Sequence, residues 1–401
     1  MSPEATAVKG DPFALPPLQS EIRDHARELA ARFAPRCREI RRHGLEREEL
    51  HPELWQAFSE QGWPGLLIPV EHGGTEGGLL ALAAVLEALA AANVVLWMPV
   101  LSAAIAHAIA QVGPDAARER WLRRVASGES QLALAVTEPD VGHNVFRSQT
   151  TVVRDGDRFL VNGVKGVTSG IEIAERILVL GRVPGEHEPG GPARFTTVLV
   201  EPGAPGLTRE ELPMGGREGV RQWKIELHDV EAPASALVGA EGQGLLTLWP
   251  FTHVERLLTA ALSVGNARYC IQRALGRATQ RSIFGQRPIG AEQAIQHPLA
   301  KLHARLQATQ LYVYSAAARF DAGVEELVLA GEANIAKLLS ADVLFDAADH
   351  AVQTLGAAAW DEREGMIDAF LDARLSRSGP VSQELALNFI AQHVLSLPAH
   401  R

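Results

Sequence analysis

Apolar residues recur along the chain with two different periods, and the change of period divides the sequence into three predicted regions. Up to about residue 130 they lie three or four positions apart, the period of an amphipathic helix. From Gln131 to about Gly239 they alternate in short runs separated by Gly and Pro, which predicts an antiparallel barrel. After Glu241-Gly242-Gln243-Gly244 the helical period resumes and continues to the C-terminus. We therefore predict an α+β fold in which helices precede and follow a β-barrel.

The same pattern predicts the domain boundaries. We expect a disordered lead-in over residues 1–17 and an N-terminal helical domain over residues 18–130. A central antiparallel β-barrel domain is expected over residues 131–240, and a C-terminal helical domain, a four-helix bundle, over residues 241–401.

The stretch from Leu132 to Gly170 carries the most specific pattern. An apolar strand breaks at Thr137-Glu138-Pro139, and alternating β-branched segments then return through two predicted turns. The turns are Asp155-Gly156-Asp157 and Asn162-Gly163-Val164-Lys165, and the second leads to Thr168. Two hydroxyl-bearing strand ends thus flank a small β-structure, an arrangement that favours a flat ring with polar edges as the ligand.

One nearly apolar segment, from Ala88 to Ala106, has roughly the length of a membrane span. It contains Asn93 and Pro99, is rich in alanine and follows Glu87 on an amphipathic pattern. Two buried helices that meet near Trp97-Met98-Pro99 explain this composition better than a membrane helix does. We therefore expect no membrane partner.

Composition narrows the class of protein. The 401 residues are 46% hydrophobic and 21% charged, an ordinary globular balance. The formal charge of −10 argues against nucleic acid or an anionic membrane surface as the main partner. Two cysteines, Cys37 and Cys270, cannot form a disulfide framework, and the N-terminus lacks the pattern of a signal peptide, so a cytoplasmic location is expected. The 14 histidines form no convincing metal-ligand pair, and we predict no metal.

Six short motifs, in order along nearly the whole chain, resemble those of the acyl-CoA dehydrogenase family. They are Ile68-Pro69-Val70-Glu71-His72-Gly73-Gly74, Val136-Thr137-Glu138-Pro139, Asn162-Gly163-Val164-Lys165, Arg281-Ser282-Ile283-Phe284-Gly285, Gln293-Ala294-Ile295-Gln296 and Ala351-Val352-Gln353-Thr354-Leu355-Gly356. Each motif alone is weak, and their order and spacing carry the resemblance. It implies an FAD-dependent enzyme that dehydrogenates an acyl thioester, held on CoA or on a carrier protein, between its α and β carbons.

By this resemblance, Thr137 and Thr168 would hydrogen-bond the flavin ring, with Thr168 near flavin N5. A donor there stabilises the negative charge that arrives with a hydride. The alternative is that both threonines are simply strand-forming residues. The other cofactor contacts implied within the same subunit come from Val136, Gly142, His143 and Val167.

Four further residues would hold the FAD diphosphate and adenosine of a neighbouring subunit: Arg281, Phe284, Gln353 and Gly356. An Arg fork suits a diphosphate, although a lone helix arginine is more often simply solvated. A cofactor shared in this way implies a homo-oligomer, a dimer or a tetramer. The resemblance also implies an electron-transfer flavoprotein as the partner that reoxidises the flavin.

The catalytic carboxylate is missing from the place where most members of the family have it, because Pro380 stands there. A minority, similar to isovaleryl- and long-chain acyl-CoA dehydrogenases, carries the base in a Leu-Glu-Arg-Leu segment of an earlier helix. Here that segment reads His253-Val254-Glu255-Arg256-Leu257. We expect Glu255 to be the base, the alternative being an ordinary surface or Arg-paired glutamate. Arg256, Gly379 and Pro380 are the implied substrate-binding residues.

Three departures from the family pattern leave other chemistry open. Pro380 has no N–H to donate to the thioester oxygen. Gly142-His143-Asn144 replaces a Gly-Ser-Asp segment, and the stretch between Lys165 and Thr168 is one residue short and lacks a tryptophan. The alternatives are a changed flavin reaction, such as that of an oxidase, hydroxylase or reductase, and an inactive scaffold that binds acyl carriers.

Overall fold

A computed structural model of the protein describes residues 13–75, 77–142, 144–185, 194–215, 219–283, 285 and 287–399. The chain forms two compact units. The first contains Met1–Glu39, Leu79–Val95 and Arg256–Arg401, and the second contains Ile40–Gly78 and Leu96–Glu255. Most of the predicted disordered lead-in, residues 1–12, lies outside the described residues. The ring of Phe13 packs edge-on against Tyr314, with 5.7 Å between centroids, and the first helix begins at Pro17.

The described helices precede and follow the strands, as the periods predicted. They are α1 (Pro17–Phe33), α2 (Cys37–Glu46), α3 (Pro52–Glu60), α4 (Gly78–Ala90), α5 (Met98–Val112), α6 (Asp115–Ala117), α7 (Arg123–Ala126), α8 (Gly244–Gln280), α9 (Gln293–Asp321), α10 (Glu326–Leu355), α11 (Met366–Leu375) and α12 (Gln383–Phe389). Proline lies at the first turn of α1, α3 and α5, where its missing N–H costs no intrahelical bond. The three predicted domain boundaries and the count of four helices in the C-terminal bundle stay predictions.

The apolar segment near residue 97 forms two separate helices. Helix α4 ends at Ala90 and α5 begins at Met98, and most residues of both are buried. Helices that are apolar all round belong in a protein core or a membrane. The burial of both helices confirms the prediction of two buried helices, although α4 already ends at Ala90 and not near Trp97. Among the described residues, no helix is long and apolar enough to cross a membrane.

The second unit contains the β-sheet. Its strands are β1 (Leu132–Ala135), β2 (Thr151–Asp155), β3 (Arg158–Ser169), β4 (Arg176–Arg182), β5 (Phe195–Val200), β6 (Leu207–Leu212), β7 (Gln222–Pro233) and β8 (Leu237–Val238). Their order in the sheet is β6-β7-β3-β2-β4-β5-β8, with β1 paired to β4. Strands β3 and β7 are paired so that every second residue of each points to the same face of the sheet, and that face is buried. Its residues include Phe159, Val161, Ile225 and Leu227.

The predicted closed barrel is wrong, because the sheet is open and ends in β6 and β8. Most neighbouring strands are antiparallel as predicted, but β1 runs parallel to β4, and Thr151 of β2 pairs in parallel with Arg182. Alternation along a strand reveals which face is buried. It does not reveal whether the first and last strands meet, since closure depends on the tilt and stagger of all the strands together.

The two predicted turns have different outcomes. Gly156 lies in the turn between β2 and β3 with φ +64°, so the Asp155-Gly156-Asp157 turn is confirmed. The turn predicted at Asn162-Gly163-Val164-Lys165 is wrong, because β3 continues through it with a register irregularity between Val161 and Gly163. A Cβ on Gly163 would lie 2.5 Å from Thr150 Oγ1. Because Gly163 has no side chain, β3 can approach the segment of Thr150 closely. In the sequence, a glycine used in this way inside a strand is easily mistaken for a turn residue.

Candidate active site

The loop that follows β1 lies along the end of β3. Gly166 N donates to Thr137 O at 3.0 Å, and Thr137 Oγ1 donates to Val167 O at 3.4 Å. Lys165 Nζ donates to Val136 O at 2.7 Å. The structure therefore brings together the two segments that carry Thr137 and Thr168, the hydroxyls that the sequence selected for the flavin edge.

Thr168 returns to the face of Lys165 through a β-bulge. From Lys165 to Thr168, β3 advances by three residues, while its partner β7 advances by only two, from Ile225 to Trp223. One extra residue on β3 is the definition of a bulge and restores the side-chain alternation. The peptide bond between Gly166 and Val167 is cis. The bulge thus places the hydroxyl of Thr168 on the Lys165 face.

The hydroxyl of Thr168 lacks a partner in the part of the chain that the structure describes. The residue is 1% exposed, and its Oγ1 makes no hydrogen bond there. Leaving a buried hydroxyl unsatisfied costs about 1–3 kcal/mol, so native proteins rarely tolerate it without a ligand or water. Beside it, Val167 is 44% exposed although it is a large apolar residue. A flat ring with an acceptor nitrogen would cover the valine and satisfy the hydroxyl, so these residues fit a flavin.

A buried ion pair beneath this edge was missed from the sequence. Lys165 Nζ lies 3.0 Å from Glu138 Oε1, and the two side chains are 0% and 7% exposed. Glu138 also accepts the backbone N–H groups of Gln149 at 2.8 Å and Thr150 at 3.0 Å. Both residues belong to the quoted motifs. The available signal was a lysine in phase with the apolar Phe159 and Val161 of the same strand, since lysine and glutamate are almost never fully buried unless paired.

Burial disfavours the charged form of both partners. For Glu138 the backbone N–H of Gln149 and the ammonium of Lys165 outweigh this penalty and hold the pKa of the carboxyl below its usual range. Burial lowers the pKa of Lys165, against the attraction of Glu138. A carboxylate with two backbone donors and a cation has its charge well compensated, so we treat the pair as ionised.

Trp223 was also missed as a neighbour of the site. It pairs directly with Thr168 across β3 and β7, and its indole Nε1 donates to Glu172 Oε2 at 2.6 Å. Burial raises the pKa of Glu172. Cross-strand pairing could not be read from the sequence, because the bulge changes which residue of β7 lies opposite Thr168.

The loop from Gly142 to Arg147 would carry the diphosphate contacts. Gly142 is exposed with φ +53°, a left-handed conformation that favours glycine, and His143 lies outside the described residues. Arg182 anchors the end of this loop by donating to Ser148 O at 3.1 Å and to Phe146 O at 2.5 Å. The contacts predicted for Gly142 and His143 stay proposals.

Glu255 and Arg256 lie in α8, both half-buried, between the fully buried Val254 and Leu257. Gly379 and Pro380 follow α11 and are also half-buried. Lys337 Nζ donates to Ser376 O at 2.6 Å and holds the chain that leads to them. The catalytic role of Glu255 and the substrate contacts of Arg256, Gly379 and Pro380 are untested by this geometry and remain proposals.

The residues predicted to reach a neighbouring subunit lie near the ends of long helices. Arg281 follows α8, Gln353 lies in the last turn of α10 and Gly356 comes directly after it, all exposed. Phe284 lies outside the described residues. Exposure is what a contact to another subunit's cofactor requires, and it does not by itself test that contact. Within the described ranges, no three His, Cys, Asp or Glu side chains are grouped so as to hold a metal ion.

Comparison with known proteins identifies the family. Three family models match in succession: the acyl-CoA dehydrogenase N-terminal domain over residues 16–129, the middle domain over 133–230 and the C-terminal domain over 242–395. Acyl-CoA dehydrogenase FadE12 of Mycobacterium tuberculosis is 37% identical over 347 residues, which cover 86% of this chain and 88% of that protein. The chain belongs to the acyl-CoA dehydrogenase family. The predicted enzyme class, a flavin-dependent oxidoreductase acting on a CH–CH bond, is confirmed by this membership.

Solved structures agree with the fold. Butyryl-CoA dehydrogenase from Megasphaera elsdenii superposes with a TM-score of 0.85 at 23% identity, covering 96% of this chain and 99% of that one. A glutaryl-CoA dehydrogenase from Mycobacterium smegmatis in complex with FADH2 gives a TM-score of 0.85 at 20% identity, covering 96% of this chain and 97% of that one. At these identities the likeness establishes the fold, a mixed α+β arrangement with helical N- and C-terminal parts.

Proposed function

We propose that this protein is an FAD-dependent acyl-CoA dehydrogenase that removes the α-hydrogen of an acyl thioester as a proton and the β-hydrogen as a hydride. The observation that carries the proposal is the partnerless, buried Oγ1 of Thr168 beside the exposed Val167. Bound FAD would supply the hydride acceptor, N5 of its ring. The FADH2 complex of the Mycobacterium smegmatis glutaryl-CoA dehydrogenase supports this choice of cofactor.

The chain's own residues would orient the ring and stabilise its charge. Thr168 Oγ1 would donate a hydrogen bond to the N5 edge, which stabilises the negative charge that a hydride brings. Thr137 and the backbone of Val136 and Val167 would hold the adjoining ring edge. Because Glu138 and Lys165 already hold this loop against β3, these donors need little reorganisation when the charge develops.

Glu255 would accept the α-proton on a carboxylate oxygen. This assignment rests on the sequence, in which Pro380 occupies the usual position of the base while Glu255 matches the alternative position. Arg256 would lie beside the substrate, and the Gly379-Pro380 segment would face the thioester. Since Pro380 has no N–H, the carbonyl oxygen needs its hydrogen bonds from other groups.

The partners and the location are proposed from a relative's name, from exposed residues, from the family resemblance and from the cysteines. CoA is the acyl carrier that the name of the FadE12 relative favours, and an acyl carrier protein is the alternative. The exposed Arg281 and Gln353 support a homo-oligomer in which neighbouring subunits complete each other's cofactor site. Reoxidation by an electron-transfer flavoprotein follows from the family resemblance. The proposed cytoplasmic location rests on the two unbridged cysteines, Cys37 and Cys270.

Anaerobic mixing with acyl-CoA thioesters tests the proposal. A dehydrogenase reduces and bleaches its flavin at once, whereas an oxygenase waits for an external reductant and a scaffold takes up no FAD. Glu255→Gln should retain FAD and ligand binding and lower turnover by orders of magnitude. Glu384, exposed on α12, is the next candidate for the base, and Glu384→Gln should change turnover little if Glu255 is the base. Unchanged turnover of the Glu255 variant would show that another carboxylate is the base.

A further inference from the structure

We propose that the buried Glu138–Lys165 pair is a positioning element that sets the midpoint potential of the flavin as well as the geometry of its binding edge. This inference rests on the proposed function, because it places the flavin against Thr137 and Thr168. It concerns two residues whose side chains lie behind that edge and would reach the cofactor through the residues they hold. The reaction itself requires neither an ionised lysine nor an ionised glutamate at this depth.

The pair connects three chain segments. Lys165 on β3 donates one N–H to Val136 O at 2.7 Å and another to Glu138 Oε1 at 3.0 Å, both in the loop after β1. Glu138 in turn accepts the backbone N–H groups at the start of the β2 segment, at 2.8 and 3.0 Å. A change in either side chain therefore moves the loop that carries Thr137 relative to the strand that carries Thr168.

Stability alone does not account for such a pair. Removing two ions from water costs free energy that their mutual attraction only partly returns, so well-packed apolar residues would stabilise the fold as well or better. Loss of one partner, in contrast, leaves an uncompensated buried charge. A polar network of this kind fixes one arrangement of the segments it joins, and here those segments form the edge with the unsatisfied hydroxyl.

The location of the charges gives the pair an electrostatic effect. Lys165 Nζ contacts the carbonyl of Val136, the residue before Thr137, and its side chain is fully buried. In a low-dielectric interior a charge acts over a longer range than in water. An unpaired cation here favours the electron-rich reduced flavin, and an unpaired carboxylate favours the oxidised flavin. In the native protein each charge compensates the other.

Three variants and a rescue test this inference. Glu138→Gln removes the anion and should raise the midpoint potential, whereas Lys165→Met removes the cation and should lower it. We expect each to change the ratio of oxidised to reduced flavin at least tenfold, about 30 mV for a two-electron couple. The double variant should return towards the native value, and Lys165→Arg, which keeps the cation, should lie near it. Spectroelectrochemistry of the FAD-loaded protein measures all four.

Arg158→Met is the matched control on the same strand. Arg158 pairs with Asp155 and Glu231 through side chains that are 43%, 52% and 60% exposed, where solvent screens the charges. The flavin of the Arg158→Met variant should have the same midpoint potential as that of the native protein. Affinity for FAD and thermal unfolding of each apoprotein are measured alongside, to separate loss of fold from loss of charge.

The outcomes separate this inference from the proposed function. A native protein that takes up no FAD contradicts both. A yellow native protein whose two single variants shift the potential in the same direction, or not at all, contradicts the inference alone. If both variants unfold or lose FAD, Lys165→Arg decides: a restored native potential supports the inference, and a failure to restore it leaves the pair a purely structural role.

Discussion

At the scale of single residues, the site depends on polar atoms in unusual surroundings. Thr168 buries a hydroxyl without a partner in the described part of the chain, and Lys165 buries an ammonium that has two acceptors. The hydroxyl of Thr168 can still form a hydrogen bond with a ligand. The ammonium of Lys165 already bonds within the protein and holds two chain segments together. This difference separates a residue that would contact the cofactor from one that positions such residues.

Thr168→Val should separate cofactor binding from hydride transfer. Valine has nearly the same shape, so FAD should still bind, while the rate of flavin reduction should fall about 10²–10³-fold, as for loss of one preorganised donor. The apoprotein should unfold no more easily, because an unsatisfied buried hydroxyl is removed. Stopped-flow reduction measures the rate. Thr151→Val on β2, which loses only a hydrogen bond of 3.5 Å to Asn162 O, should reduce at the native rate.

His107 makes the stability of the fold depend on pH. Burial on α5 lowers its pKa from 6.5 to about 4, so protonation favours the unfolded state. Its contribution to stability is complete above pH 6.5 and is lost progressively as the pH falls towards 4. His107→Gln should lose less stability than the native protein between about pH 7 and about pH 5, as measured by urea unfolding.

The exposed His228, whose side chain is 72% accessible, is the control for this measurement. His228→Gln should retain the native pH dependence. An equal slope for the native protein and the His107 variant would contradict the prediction.

At the scale of elements, one strand carries most of the site. β3 supplies Lys165, Val167 and Thr168, and its bulge decides that Thr168 shares a face with Lys165. A slip of one residue in a strand moves every following side chain to the opposite face. The sequence could not reveal this bulge, and only the pairing with β7 showed that Thr168 lies on the face of Lys165.

The helices of the first unit are joined by a buried polar cluster. Glu87 of α4 accepts hydrogen bonds from Arg268 of α8 at 3.0 Å and from Gln310 of α9 at 2.9 Å. Arg268→Met should cost about 3 kcal/mol of unfolding free energy, the lower end for breaking a buried pair, since Gln310 still donates to Glu87. Arg305→Met breaks an exposed pair with Asp346 and should cost at most about 1 kcal/mol.

Denaturant unfolding compares the two arginine variants directly. Both remove a guanidinium from a long helix of the same unit, so they differ mainly in the burial of the partner carboxylate. Equal costs would show that Glu87 is better compensated by Gln310 and its surroundings than the geometry indicates.

At the scale of the whole molecule, the proposed flavin edge lies within one chain, and the exposed Arg281 and Gln353 are proposed to serve the cofactor of another subunit. Arg281→Gln should lower the affinity for FAD at least about tenfold, the effect of losing a charge-assisted hydrogen bond. FAD retention of the native protein should also fall on dilution, because subunit dissociation opens a shared site.

Arg287→Gln, an exposed arginine in the same connection after α8, is the control and should bind FAD like the native protein. Fluorescence titration of released FAD against protein concentration measures both effects. Retention that does not depend on concentration would argue that each subunit holds its cofactor alone.

Much of the architecture was predictable because the local periods are strong. Helix starts at Pro52 and the strands around Ile177, Phe195 and Trp223 follow from spacing and turn residues. The errors share one cause: the barrel and the turn at Gly163 required knowledge of which strands pair. Among site residues, Thr137 and Thr168 were selected from motifs, whereas Glu138, Trp223 and Glu172 have roles that only their neighbours define.

The amino-acid sequence by itself determined the order of helices and strands, the family and the residues selected for the flavin edge. These depend on local spacing and on short motifs, which can be recognised in the sequence alone. Only the tertiary structure decided that the sheet is open, that a bulge brings Thr168 onto the face of Lys165, and that Glu138 and Lys165 meet in the interior. Those features depend on strand pairing and desolvation between residues far apart in the chain, and no local pattern encodes the outcome of such packing.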